Sequence, residues 1–258
     1  MEIKPSLKQL GAIMAEHANL AEAALVFDLI NGRQTPSGVV QTMIQQNHFQ
    51  EDLSERLEKL QSLILDLATD VPFTHAPLVA LLNAFRTCSN KDVYTGIWGT
   101  FGMHEGDLHS ALMHNDEQAA EYININGFEA QLWRAMGSEV EDYLYSYPIN
   151  SYARSIEQQN PKEEFQTMDG EVAAACLWMI HGSERIWKLT KEADHESGGK
   201  DWRGDLWKGE QGYSVERWEL WKKRFQDVAD GKVEKVGAET KRLAVAAVTN
   251  MTAVVHSN

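Results

Sequence analysis

Three of the nine histidines, His104, His109 and His114, fall in the stretch GTFGMHEGDLHSALMHN between positions 99 and 115. On a helix Glu105 and His109, four apart, share a face. Imidazole beside carboxylate is ligand chemistry for zinc or another divalent ion. The histidines recur every five residues, however, which turns each ring about 140° from the last. The HExxH spacing that places two rings on one face is absent. The segment therefore reads as a solvated helix with incidental histidines, and we expect neither metal nor cofactor. Metal-dependent hydrolysis through His104, Glu105 and His109 ranks last.

His181 is the more informative histidine, because it follows the apolar run 172–180 and stands three residues after Trp178. One reading is a buried neutral imidazole bonded to a backbone carbonyl. The other is a polar group facing a cavity between helices, where bundles commonly build ligand sites. Arg185, one turn on, could then supply a donor to an anion. Trp202 and Trp207 sit in the polar run DWRGDLWKGEQGY, either closing over a ligand or stapling the loop to the body. With Arg217 these residues form the candidate ligand set: Trp178, His181, Arg185, Trp202, Trp207 and Arg217. No nucleophile elbow, phosphate-binding loop or kinase signature occurs, and no catalytic residue is assigned. Cys176 lies in the most apolar segment, where a thiol stays protonated.

The elements that must position these side chains are helical almost throughout. Leu53, Leu57, Leu60, Ile64 and Leu67 recur at steps of three and four, aligning one stripe on a helix over about 51–68. Residues 21–30 form a helix that stops at Asn31-Gly32, and Thr35-Pro36 is an N-cap followed by proline at the first helical position. Two further helices, 117–136 and 139–158, break at Gly137-Ser138. Asp169 is placed to cap a helix that is apolar on every side over 172–180, which belongs in the middle of a bundle. Ser214 caps the next, with Val215, Trp218, Trp221 (or Leu220) and Phe225 as its buried stripe, and a last helix spans about 238–255. No alternating strand pattern and no fixed repeat occurs. The expected fold is an all-α irregular bundle or array of nine to ten helices. We read 1–258 as one domain with a soft boundary near 159–167 and a long glycine-rich loop over 193–213.

The 258 residues carry 24 Lys+Arg against 38 Asp+Glu, a net charge of −14. Such a surface repels phosphates, so neither nucleic acid nor an anionic membrane is the expected partner. Two isolated cysteines, no leader and no long apolar run point to a soluble cytoplasmic protein. Six of the eight tryptophans crowd between 178 and 221.

Several blocks resemble a fungal family known as domain of unknown function 3632. They are LDLATDVPFTHAPLVALLNAF, NINGFEAQLWRAMGSEVEDYLYSYPINSYARSIE, VAAACLWMIHGSERIW and WRGDLWKGEQGYSVERWELWKKRFQDVA. The last is the most recognisable, with Gly204, Gly212, Tyr213, Arg217, Trp218, Trp221 and Phe225. The similarity runs over roughly 60–250 and departs at the first loop, where Trp98 is present without a following proline. It implies a mostly helical fungal protein, with a possible link to secondary metabolism, and transfers no catalytic residue. Two functions remain in view. One is a non-enzymatic interaction or scaffold protein, with a contiguous exposed apolar patch. The other is a protein that binds a hydrophobic small molecule, or a cofactor-free enzyme, with an apolar cavity near Trp178, His181 and Arg217.

Overall fold

The computed structural model describes residues 7–46, 53–136, 144–159, 167–193 and 203–257. These residues hold eleven α-helices and no strand. The all-α expectation is met, one helix beyond the anticipated number. The chain divides into two compact units, residues 1–111 and 112–258.

In the first unit α1 (Leu7–Glu16), α2 (Ala21–Ile30), α3 (Pro36–Gln45), α4 (Leu53–Asp70) and α5 (His75–Arg86) pack together, followed by α6 from Lys91. The stripe read from the sequence is the core-facing side of α4, for Leu57, Leu60, Ile64 and Leu67 are all buried. The caps also agree. The Thr35 side chain accepts from the Gly38 amide at 3.1 Å with Pro36 at the first helical position. α2 ends on Gly32, whose φ of 68° closes the helix while Arg33 N–H reaches back to Asp28. Only glycine takes that left-handed turn without strain. Glu22 is fully buried and is neutralised by Arg56. Pro77 lies in the first turn of α5, where its missing N–H costs nothing.

The second unit is built around one helix. α9 (Met168–Glu192) touches α7 (Ala119–Met136), α8 (Ser146–Arg154), α10 (Val215–Ala229) and α11 (Ala238–His256), and α10 also packs on α11. Its first half is buried nearly all round, from Val172 to Met179 apart from Leu177. Ala173, Ala174 and Ala175 keep it thin enough for neighbours to close in. Two corrections fall in this unit. The N-cap of α9 is Thr167, which accepts from the Gly170 amide, whereas Asp169 turns outward to accept from the Gly237 amide at 2.8 Å. On α10, Trp218, Trp221 and Phe225 form the buried stripe but Val215 is exposed, because it sits at the first turn, short of the packed face.

Because α9 carries the contacts of its unit, its cap is worth measuring. Thr167→Ala removes one hydrogen bond at an exposed position and should lower stability by about 1 kcal/mol in urea titrations, with an unchanged slope. A change under a few tenths would count against this cap.

Candidate functional site

Glu157 lies just past α8, in the segment that also carries Ile156 and Gln158. Its carboxylate receives four donors. Arg217 gives two in the bidentate manner, Nε at 2.6 Å and Nη2 at 2.9 Å. Trp221 Nε1 donates at 2.6 Å and the Gly204 amide at 2.9 Å. The backbone of the same residue accepts from Leu206 N–H at 2.9 Å. Arg217 uses its third arm on the Gly212 carbonyl, and Arg224 binds the carbonyls of Ile156 and Gln158. Both Glu157 and Arg217 are fully buried. Donors and acceptors thus satisfy one another, which fits a staple and leaves no vacant valence for a ligand. The approach of the 203–213 loop is so close that a Cβ on Gly204 would stand 2.4 Å from the Glu157 Cβ and 2.6 Å from its carbonyl oxygen.

Of the five candidate ligand residues among those described, His181 alone lines the cleft between α9 and α11. Trp178 is buried, donates to Asn126 Oδ1 at 2.8 Å and meets Trp133 and Tyr147 edge-on. Arg185 turns to α7, lying 4.3 Å over the Trp133 ring and donating to that residue's carbonyl. Trp207 is half-buried, with its indole N–H on the Glu210 carbonyl and its ring beside Arg217. Trp202 lies outside the described residues, as does the loop before it from 194 onward.

The cleft runs along the C-terminal half of α9, with α11 on one side and Arg134 of α7 at its edge, and encloses about 740 Å³. Its floor is Ile180, Ser183, Trp187 and Val254. Trp187 is held by a tilted contact with Trp218 at 5.1 Å. The rim is charged: Arg134, Glu184, Lys188, Lys191 and Glu192. Lys188 is paired with Glu192 across one helical turn. Asn250 fixes α11 to α9 by donating to the Ile180 carbonyl at 2.8 Å. Burial holds the His181 pKa below its ordinary 6.5, and repulsion from the Arg134 guanidinium adds to this, so the ring is neutral at pH 7.

Two clusters were not legible as such. Tyr122 of α7, Arg154 of α8 and Glu171 of α9 close a buried triangle: Arg154 Nη2 donates to the phenol oxygen at 2.9 Å, and the phenol donates to Glu171 Oε2 at 3.2 Å. Burial first, then the Glu171 charge, drives the phenol far above its ordinary range, so it stays protonated. The three lie 17 to 49 positions apart, and no periodic pattern links them. In the first unit the solvated-helix reading needs correction. Glu105 is fully buried and His109 nearly so, both on the inner face of α6 (Lys91–Met113). His104 faces Gln61 of α4 at 2.9 Å. Four-residue spacing put Glu105 and His109 on one face, as the sequence showed; which face was decided by packing.

A family model described as protein of unknown function (DUF3632) matches residues 62–225, well over half of the chain. The chain belongs to this family. The matched span contains Glu157, Gly204, Arg217 and Trp221, so the whole staple falls within it. It also takes in His181 and Trp187 of the cleft, whereas α11, the cleft's other wall, lies beyond it. No curated protein and no solved structure matches the chain.

Two measurements test this geometry. Glu157→Gln leaves the Arg217 charge buried without its counter-ion and should cost about 3–5 kcal/mol. Gly204→Ala should cost about 2–3 kcal/mol through backbone displacement alone. Equal stability of either variant to wild type in urea would refute the staple. For His181 the sign follows from its lowered pKa. Above about pH 6.5 neither folded nor unfolded chain holds the proton and the group is silent. As pH falls through that value the unfolded chain binds a proton that the folded one resists, so stability declines. His181→Asn should flatten that part of the stability–pH curve; an unaltered curve would contradict the assignment.

Proposed function

We propose that the chain is a small-molecule-binding protein and that its ligand occupies the cleft between α9 and α11. The observation that carries this reading is the cleft itself: a concave space of about 740 Å³ with an apolar floor, a neutral imidazole at one wall and hydrogen-bonding groups at its edge. The volume lies within the usual range of ligand sites, and the lining is more polar than most, with Ile180, Trp187 and Val254 as its apolar part. The alternative of an interaction scaffold asked for a contiguous exposed apolar patch. Among the described residues five large apolar side chains are exposed, Phe73, Met103, Val215, Val245 and Val255. Val245 and Val255 stand ten residues, or about 15 Å, apart along α11, and Val215 opens a different helix. The charge of −14 speaks against nucleic acid. No helix among the described residues is long and apolar enough to cross a membrane. Two free cysteines, Cys88 and Cys176, support a cytoplasmic setting for such a binder, and the resemblance described above supports a fungal one.

A thermal-shift screen of chemically mixed metabolites tests the reading. A ligand present at 100 times its Kd contributes about 2.7 kcal/mol, which raises Tm by several degrees for a chain of this size. Ala253→Trp, an exposed change that fills the cleft mouth, should abolish the shift. Hits that move wild type and variant equally, or no hits at all, would count against a ligand in this cleft.

A further inference from the structure

The cleft's charges do not balance in the way the rest of the chain does. The chain carries 38 acidic against 24 basic side chains, yet the rim of this cleft holds three cations, Arg134, Lys188 and Lys191, against Glu184 and Glu192. Lys188 is paired with Glu192, which leaves Arg134 and Lys191 against Glu184, a net positive charge of one. Arg134 and Lys191 make no ion pair with any described residue, and they come from two different helices, α7 and α9. Ser183, nine-tenths buried, lines the floor between the charged rim and the apolar groups. Ile180, Trp187 and Val254 supply a surface for a flat hydrocarbon body, with Trp187 braced from behind by Trp218. A single site therefore offers an apolar floor at one level and uncompensated positive charge at its edge.

From this we infer that the ligand is an organic anion: a carboxylate attached to a planar, largely apolar body. The body lies on Ile180, Trp187 and Val254, and the carboxylate reaches the Arg134 guanidinium and the Lys191 ammonium at the rim. A guanidinium takes a carboxylate with two parallel hydrogen bonds, and the lysine adds a point charge. Neutral His181 contributes one N–H donor without repelling a cationic rim further. The inference rests on the proposed use of this cleft and adds the ligand's chemical class.

The probes are 1-naphthoate and 1-naphthamide, which share a ring system and differ in charge, titrated calorimetrically into the full chain at pH 7. Naphthoate should bind at least tenfold more tightly than the amide, a difference of about 1.4 kcal/mol. The double change Arg134→Gln with Lys191→Gln, both at exposed positions, should remove that preference while leaving the amide's affinity unaltered. Raising ionic strength from about 0.05 to 0.5 M should weaken the naphthoate alone. Equal binding of both probes, blocked by Ala253→Trp, would overturn the anionic class and leave the cleft as the binding site. A naphthoate preference that survives loss of both cations would also overturn it. If neither probe binds at millimolar concentration, the inference fails, and the cleft stands or falls on its own screen.

Discussion

One carboxylate organises the second unit. Glu157 follows α8 directly, yet its four donors come from the 203–213 loop and from α10, 47 to 64 positions further along the chain. A carboxylate taken out of water is stable only when its lone pairs are filled and a counter-charge is close. Here Arg217 gives the charge, Trp221 and Gly204 fill the rest, and Gly212 accepts the arm of Arg217 that remains. The demand works in both directions. Without the loop, the carboxylate loses the Gly204 amide and Arg217 loses the Gly212 carbonyl; without the carboxylate, a guanidinium is stranded in the core. The stretch 203–213, rich in glycine and polar residues, is thereby held against Glu157 and Arg217. Glycine at 204 is required because no side chain fits between that backbone and Glu157.

The same unit shows why a cleft opens where it does. α9 runs for 25 residues, and its surroundings change along its length. From Val172 to Met179 it is wrapped by neighbours, and its alanines let them approach closely. Beyond Gly182, which faces the Trp133 ring, charged positions such as Glu184, Lys188 and Lys191 return at helical spacing. The helix passes from core to wall, and α11, anchored by Asn250, forms the opposing side. His181 stands at that changeover, half-buried, which is why its imidazole is desolvated and still borders open space. The cleft follows from the point at which the apolar wrapping of a central helix runs out.

Much of this was legible in the residues. The α4 stripe, the Thr35-Pro36 and Ser214 starts, the Gly32 stop and the central place of 172–180 all follow from local rules of spacing and capping, which depend on neighbours in sequence. Thr167 was missed in favour of Asp169, since both are good caps two residues apart and only the tertiary partner of Asp169, the Gly237 amide, separates them. The candidate ligand set came from one segment and the loop near it, and the structure divided it. His181 reached a cleft, Arg217 was taken by Glu157, Trp178 by Asn126, and Arg185 by the Trp133 ring. Those partners lie in other segments, tens of residues away, and no periodicity encodes them. Glu157 illustrates the limit most clearly. In SYARSIEQQN it looks like one more solvated acid near a helix end, and its burial is visible only once Arg217 and the loop are folded against it.

The direct test of the staple is amide hydrogen exchange at Gly204 and Leu206, the two loop amides that Glu157 holds. They should open only with the α10 core, giving protection free energies close to those of the Trp221 and Phe225 amides. Exchange of these two amides at the rate of an unstructured loop, with α10 still protected, would contradict the account.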